Sequence, residues 1–98
     1  MSLKRAALSV ALMLLPLGAA AAADAPPGAS SCSGCHPLSR TVETPAGRLI
    51  GHSAAEIVMA MQAFRSGERP STIMDRIAKG FSDAEIKAIA DWYGAQKD

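Results

Sequence analysis

The sequence is poor in the residues that would decide its class at a glance. It holds two cysteines in 98 residues, one tryptophan, one tyrosine and two phenylalanines, and nowhere sets three lysines or arginines in a row. Lacking a basic run or a basic balance, it lacks the surface with which nucleic-acid binders neutralise phosphates, and that class is excluded. It has no apolar run of the roughly 20 residues that a bilayer-spanning helix needs. The longest, Ala6 to Leu17, covers about a dozen, and no second run follows, so a membrane anchor is not expected. The alternation that marks half-buried strands is missing from residues 24–98, and there is no internal repeat.

What is present first is an export signal. Lys4 and Arg5 give the positive start, Ala6 to Leu17 the apolar stretch and Ala21-Ala22-Ala23 the small-residue cleavage site. Residues 1–23 therefore read as a signal peptide and the expected location is the periplasm. No cysteine sits at the cut, which leaves lipid attachment unsupported. Residues 24–98 remain as one small domain of 75 residues with eight basic and nine acidic side chains, a net charge of −1. A domain of that size draws too little stability from a side-chain core alone and is commonly stapled by disulfides, a metal or a large buried cofactor.

The cysteines point to which staple. Cys32 and Cys35 stand in Cys32-Ser33-Gly34-Cys35-His36. A disulfide between them closes a very short loop and removes little entropy from the unfolded chain. C-x-x-C-H is instead the attachment pattern of haem c. Each thiol adds to one vinyl group, the two-residue spacer lets both sulfurs reach along one edge of the porphyrin, and His36 falls beneath the iron as proximal ligand. Its second ring nitrogen then donates a hydrogen bond that fixes the ring and tunes its basicity. Three other readings compete. A thioredoxin-like redox pair needs a βαβ pattern that is missing here. A zinc site would draw on Cys32, Cys35, His36 and His52, but adjacent Cys35 and His36 do not easily share one tetrahedral ion, and finger spacing is absent. The third is a chance occurrence of the pattern.

The rest of the domain reads as helices. Ser53 with Glu56, and Ser82 with Glu85, make two capping boxes, each ahead of an apolar pattern. The first predicts a helix over Ala54 to Ser66, with Ile57, Met61 and Phe64 on one face and Gly67 ending it. The second predicts a helix over Asp83 to Gln96 that buries Ile86, Ile89, Ala90 and Tyr93. Pro70-Ser71 starts a short helix over Thr72 to Ala78, closed by Lys79-Gly80, and Pro27 opens a brief one leading into Cys32. Pro37 to His52, with Pro45, Gly47 and Gly51, shows neither periodicity and reads as a loop along one cofactor edge. The expected fold is all-α: three or four short helices around one covalently attached haem.

The far side of the iron has several candidates. Met61 shares the stripe of Ile57 and Phe64 and reads as core; Met59 projects from another face. His52 sits ahead of a helix cap, as a solvated loop residue would. Met74 is the better candidate, 38 residues after His36 on a short element that Pro70 introduces. On spacing alone, ordinary packing of Met74 beside Ile73 and Ile77 stays open. Methionine opposite histidine raises the reduction potential relative to two histidines and closes both axial positions, which suits single-electron transfer and leaves no catalytic residue to name.

The stretch from Met61 to Asp83, MQAFRSGERPSTIMDRIAKGFSD, taken with Cys32 to His36, resembles the class I c-type cytochromes, and among them the haem subunit of flavocytochrome c sulfide dehydrogenase. The likeness covers about residues 31–97. It implies the small class I cytochrome c fold, one haem c bound through Cys32 and Cys35, His36 as proximal ligand and Met74 as distal ligand. It further implies an FAD-containing flavoprotein that oxidises sulfide as electron donor, and a downstream periplasmic acceptor. Where the family has a proline in the loop supporting the proximal histidine, this sequence has Gly47, followed by Arg48, Leu49, Ile50 and Gly51; a backbone carbonyl can still accept from His36, on a less rigid loop. Better-known members carry two haem domains where this sequence has one attachment motif, so a free-standing carrier for another dehydrogenase or an oxidase is the alternative. Arg48 is either a propionate partner by the same likeness or a solvated loop residue. Trp92 and Tyr93 read as packing residues, and Arg65, Glu68, Arg69, Arg76 and Lys79 as solvated surface.

Overall fold

A computed structural model describes residues 24–97. The expected signal peptide, residues 1–23, lies outside the described residues. Four helices follow in order: α1 over Ala29–Ser33, α2 over Ala54–Ser66, α3 over Met74–Lys79 and α4 over Asp83–Ala95, with no strand among the described residues.

The two long helices begin where their capping boxes put them. At α2 the Glu56 amide donates to Ser53 Oγ at 3.1 Å and the Ser53 amide to Glu56 Oε2 at 2.9 Å. At α4 the Glu85 amide donates to Ser82 Oγ at 3.2 Å and the Ser82 amide to Glu85 Oε1 at 2.9 Å. Two otherwise orphaned amides are satisfied at each start, which fixes the first turn. Gly67 ends α2 at φ +78°, a left-handed conformation that costs glycine nothing. The other two elements differ from expectation. Helix α3 runs from Met74, not Thr72, because Ser71 Oγ accepts the Asp75 amide at 2.9 Å and holds the intervening residues outside the helix. Helix α4 stops at Ala95, and Gln96 turns extended with its Nε2 donating to the Trp92 carbonyl at 2.9 Å.

The core joins α1, α2 and α4. Ala29, Ile57, Ile89, Ala90 and Tyr93 form its buried cluster, with Cys32, Leu49, Ile50, Val58, Met61, Phe81 and Trp92 packed against it. The α4 face predicted to be buried, Ile86, Ile89, Ala90 and Tyr93, is buried in full. Helix α2 also packs against α3, through which Ala78 is buried. Two small residues set the close approaches. A Cβ on Gly94 would stand 2.7 Å from the Ala54 amide nitrogen, so α4 crosses the start of α2 at a distance only glycine allows. A Cβ on Gly28 would stand 2.6 Å from Phe81, so the chain entering α1 lies directly on that ring. Tyr93 spends its hydroxyl on the Ala29 carbonyl at 2.6 Å, which ties α4 to the helix that carries the first cysteine. Trp92 meets Tyr93 edge-on with centroids 4.9 Å apart, the packing role expected of both.

Candidate functional site

Helix α1 brings the motif residues together. The His36 amide donates to the Cys32 carbonyl at 2.8 Å and the Cys35 amide to the same oxygen at 3.2 Å, so the helical turn continues through the motif. Residues three and four apart on such a turn share a face. Cys32, Cys35 and His36 stand three and four positions apart on one continuous turn. Both cysteines are free thiols, Cys32 half-buried and Cys35 exposed. Burial pushes the Cys32 thiol above its ordinary range, with its hydrogen bonds opposing weakly.

The loop from Pro37 to His52 folds back onto this turn. Thr44 Oγ1 donates to the Cys35 carbonyl at 2.6 Å, Arg48 Nη2 donates to the Leu38 carbonyl at 2.8 Å, and Gly47 O lies 2.9 Å from His36 Nδ1. A carbonyl only accepts, so Nδ1 carries the proton and Nε2 keeps its lone pair. The imidazole is thus held in the tautomer that ligates through Nε2. Gly47 sits at φ +73°, which proline, locked near −65°, cannot adopt. The loop therefore reaches His36 by a different backbone path from one built on proline.

The remaining candidates are spread elsewhere. Met74 is the first residue of α3, half-buried, on the arm that packs against α2. His52 is exposed and directs Nδ1 to Glu56 Oε2 at 3.3 Å. The Glu56 carboxyl is held below the usual carboxylate range, first by the Ser53 amide and then by His52. Met61 packs against the core, as its stripe predicts, and Met59 is exposed. Arg65 pairs with Asp83 across the α2 and α4 ends, and Arg69 lies over the Phe64 ring at 4.7 Å.

These residues fit a haem better than they fit an ion. Among the described residues, no three His, Cys, Asp or Glu side chains converge as they would on a metal, which removes the shared zinc. The absence of a strand among the same residues removes the βαβ setting of a thioredoxin-like pair. Two free thiols three residues apart and an imidazole whose Nδ1 is taken by Gly47 O suit a haem attached through both sulfurs and ligated by His36 better than an ion shared by all three. Apolar side chains near both candidate ligands in the chain, Leu38 and Val42 after His36 and Ile73 and Ile77 around Met74, are exposed.

The chain is 38% identical over 64 residues to the cytochrome subunit of sulfide dehydrogenase of Chlorobaculum tepidum, a match covering 65% of this chain and 58% of that protein. The chain resembles a c-type cytochrome of that kind. It is also 34% identical over 77 residues to the thiosulfate dehydrogenase electron acceptor of Thiomonas intermedia, covering 76% of this chain and 36% of that protein. The chain therefore spans between about a third and three fifths of the length of these relatives. No family model matches it. The four helices among the described residues, with no strand, are consistent with the small all-α cytochrome c fold. No helix among the described residues is long and apolar enough to cross a membrane. Sequence reasoning missed Thr44, whose bond to Cys35 spans nine positions with no motif to announce it.

Proposed function

We propose that residues 24–98 are a periplasmic monohaem electron carrier, exported by residues 1–23. Cys32 and Cys35 hold one haem c by thioether bonds, His36 ligates through Nε2, and Met74 supplies the sulfur opposite. The observation that carries this reading is the C-x-x-C-H turn with the His36 Nδ1 proton on Gly47 O at 2.9 Å, which leaves Nε2 as the only ligating nitrogen. The haem supplies reversible one-electron chemistry when bound. The chain's own residues orient the imidazole, and His36 and Met74 would both ligate the iron, so no substrate is activated here and the role is that of a subunit, not the catalyst.

The name of the Chlorobaculum tepidum relative supports a sulfide dehydrogenase as the assembly served; on the family resemblance the donor is its FAD-containing flavoprotein, with electrons passing on to a downstream periplasmic acceptor. Sulfide itself does not meet this haem. The name of the Thiomonas intermedia relative favours a second reading, a free-standing carrier for another dehydrogenase or an oxidase. The deciding experiment expresses the protein in a periplasm competent for haem attachment, records oxidised and reduced spectra, and extracts with acidified organic solvent. A pigment that stays on the chain is expected; a colourless product, or one that loses its colour, ends the proposal. Co-purification with a flavin-containing chain, and reduction by sulfide only in its presence, separates the subunit from the free carrier.

A further inference from the structure

We infer that the Thr44 hydroxyl is a positioning group for His36: it latches the 44–47 turn to the Cys35 carbonyl and thereby fixes the acceptor that the Nδ1 proton meets. The inference rests on the haem reading above. Three hydrogen bonds close a ring. Thr44 Oγ1 donates to Cys35 O at 2.6 Å, the Gly47 amide donates to Thr44 O at 3.0 Å, and Gly47 O accepts from His36 Nδ1 at 2.9 Å, bonded through the backbone to Cys35 again.

Pro45, Ala46 and Gly47 are exposed, and nothing lies within 4 Å of where a Gly47 Cβ would be, so packing does not hold the turn from outside. The other anchor, Arg48 on Leu38 O at 2.8 Å, lies on the far side of Gly47. An acceptor on an exposed glycine turn is only as fixed as its anchors, because glycine has the widest choice of backbone conformations. At φ +73° Gly47 itself has no proline counterpart; Pro45, second in the same turn, stiffens the turn internally, and the Thr44 hydroxyl ties that turn to the Cys35 carbonyl. The consequence for His36 follows from ligand chemistry. A carbonyl on Nδ1–H raises the basicity of Nε2 and favours the oxidised iron, so loosening the turn raises the reduction potential.

The test compares Thr44→Val, which keeps the shape and removes the hydroxyl, with Thr44→Ser, which keeps the hydroxyl and removes the methyl. Thr44→Val is expected to raise the reduced-to-oxidised ratio at a fixed poise several-fold, to a limit of about tenfold or 59 mV for one electron. It is also expected to speed exchange of the His36 Nδ1 proton in the reduced protein, seen by NMR. Thr44→Ser should keep both properties. A Thr44→Val protein with unchanged potential and exchange overturns the latch, as does a Thr44→Ser protein shifted equally. If Thr44→Val does not accumulate, the unmutated reduced protein decides: the Thr44 hydroxyl and His36 Nδ1 protons are both protected from exchange, and solvent-rate exchange of either overturns the inference. A colourless unmutated protein sinks the haem assignment instead, and the latch's redox role with it.

Discussion

Replacing Tyr93 by phenylalanine tests the link between α4 and the helix that carries Cys32. The substitution keeps the ring, its edge-on contact with Trp92 and the packing around it, and removes one oxygen. Tyr93 and Ala29 are each only 1% exposed, so water does not replace the lost donor; the Ala29 carbonyl, at the start of α1, keeps its intrahelical amide and loses its second, side-chain partner. The lost hydrogen bond costs about 0.5–1.5 kcal/mol. For a domain of this length each kcal/mol moves the melting temperature by about 4–8 °C, so a cost near 1 kcal/mol lowers it by about 4–8 °C. Equilibrium unfolding in urea at neutral pH, followed by far-UV circular dichroism, should show a lower midpoint with an unchanged slope. The alkaline limb is a second check. Burial holds the Tyr93 phenol above its ordinary range, so the folded state keeps its proton where the unfolded state gives it up. That contribution is complete below about pH 10, the ordinary tyrosine value, and is lost as pH rises through the higher folded value. Phenylalanine has no such limb, so the stability gap between the two proteins should narrow from about pH 9 to 11. A Tyr93→Phe protein within about 0.5 kcal/mol of the original, or a gap constant with pH, refutes the account.

Three further outcomes are expected. Met74→Ala opens the sixth axial position, lowers the potential and abolishes the weak ferric band that reports sulfur ligation; an unchanged band counts against Met74 as the distal ligand. Ser53→Ala and Ser82→Ala each remove a helix cap and lower stability by about 1 kcal/mol. Because the Ser53 and Ser82 amides hold the Glu56 and Glu85 carboxyls below the ordinary range, their contribution is present above the unfolded carboxylate value and lost as pH falls through the folded one. Acid unfolding curves should accordingly flatten at the low-pH end in Glu56→Gln and Glu85→Gln, which remove the titrating carboxyl, and keep an acid limb in the two serine variants, which retain both amides. Gly94→Ala, a change that in an open helix gains about 1 kcal/mol, should here cost about 1–3 kcal/mol, since its Cβ meets the backbone of Ala54 and neither helix can yield cheaply. A urea midpoint that rises in Gly94→Ala shows that the α2 and α4 crossing is looser than described.

The long helices were legible because their boundaries are written in local chemistry. Ser53 with Glu56 and Ser82 with Glu85 state the start of α2 and α4 within four residues, and the apolar spacing of Ile86, Ile89, Ala90 and Tyr93 states which face is buried. Helix α3 was less legible. Pro70-Ser71 marks a start, but whether Ser71 caps the next turn or one residue further depends on Ile73, whose φ of −142° takes it out of the helix. The close approaches at Gly28 and Gly94 were invisible, since a glycine in the sequence does not say what stands 2.7 Å from its missing Cβ.

The site divides along the same line. Cys32, Cys35 and His36 are contiguous, so their pattern names the chemistry without any knowledge of the fold. The acceptor for His36 is eleven positions away and the Thr44 hydroxyl that holds it is nine from Cys35, distances over which no spacing rule operates. Gly47 was noticeable only as a departure from proline, and that departure suggests a looser loop. The geometry argues otherwise. A glycine turn without an anchor would let the carbonyl wander and the imidazole rotate, with Nδ1 taking solvent as its partner for part of the time. With Thr44 bonded to the backbone of the same turn that bears His36, the acceptor and the donor move together. Pro45 stiffens the turn from within and the Thr44 hydroxyl fixes the turn to Cys35, so a single hydroxyl becomes the place where the ligand's orientation can be changed without touching the ligand.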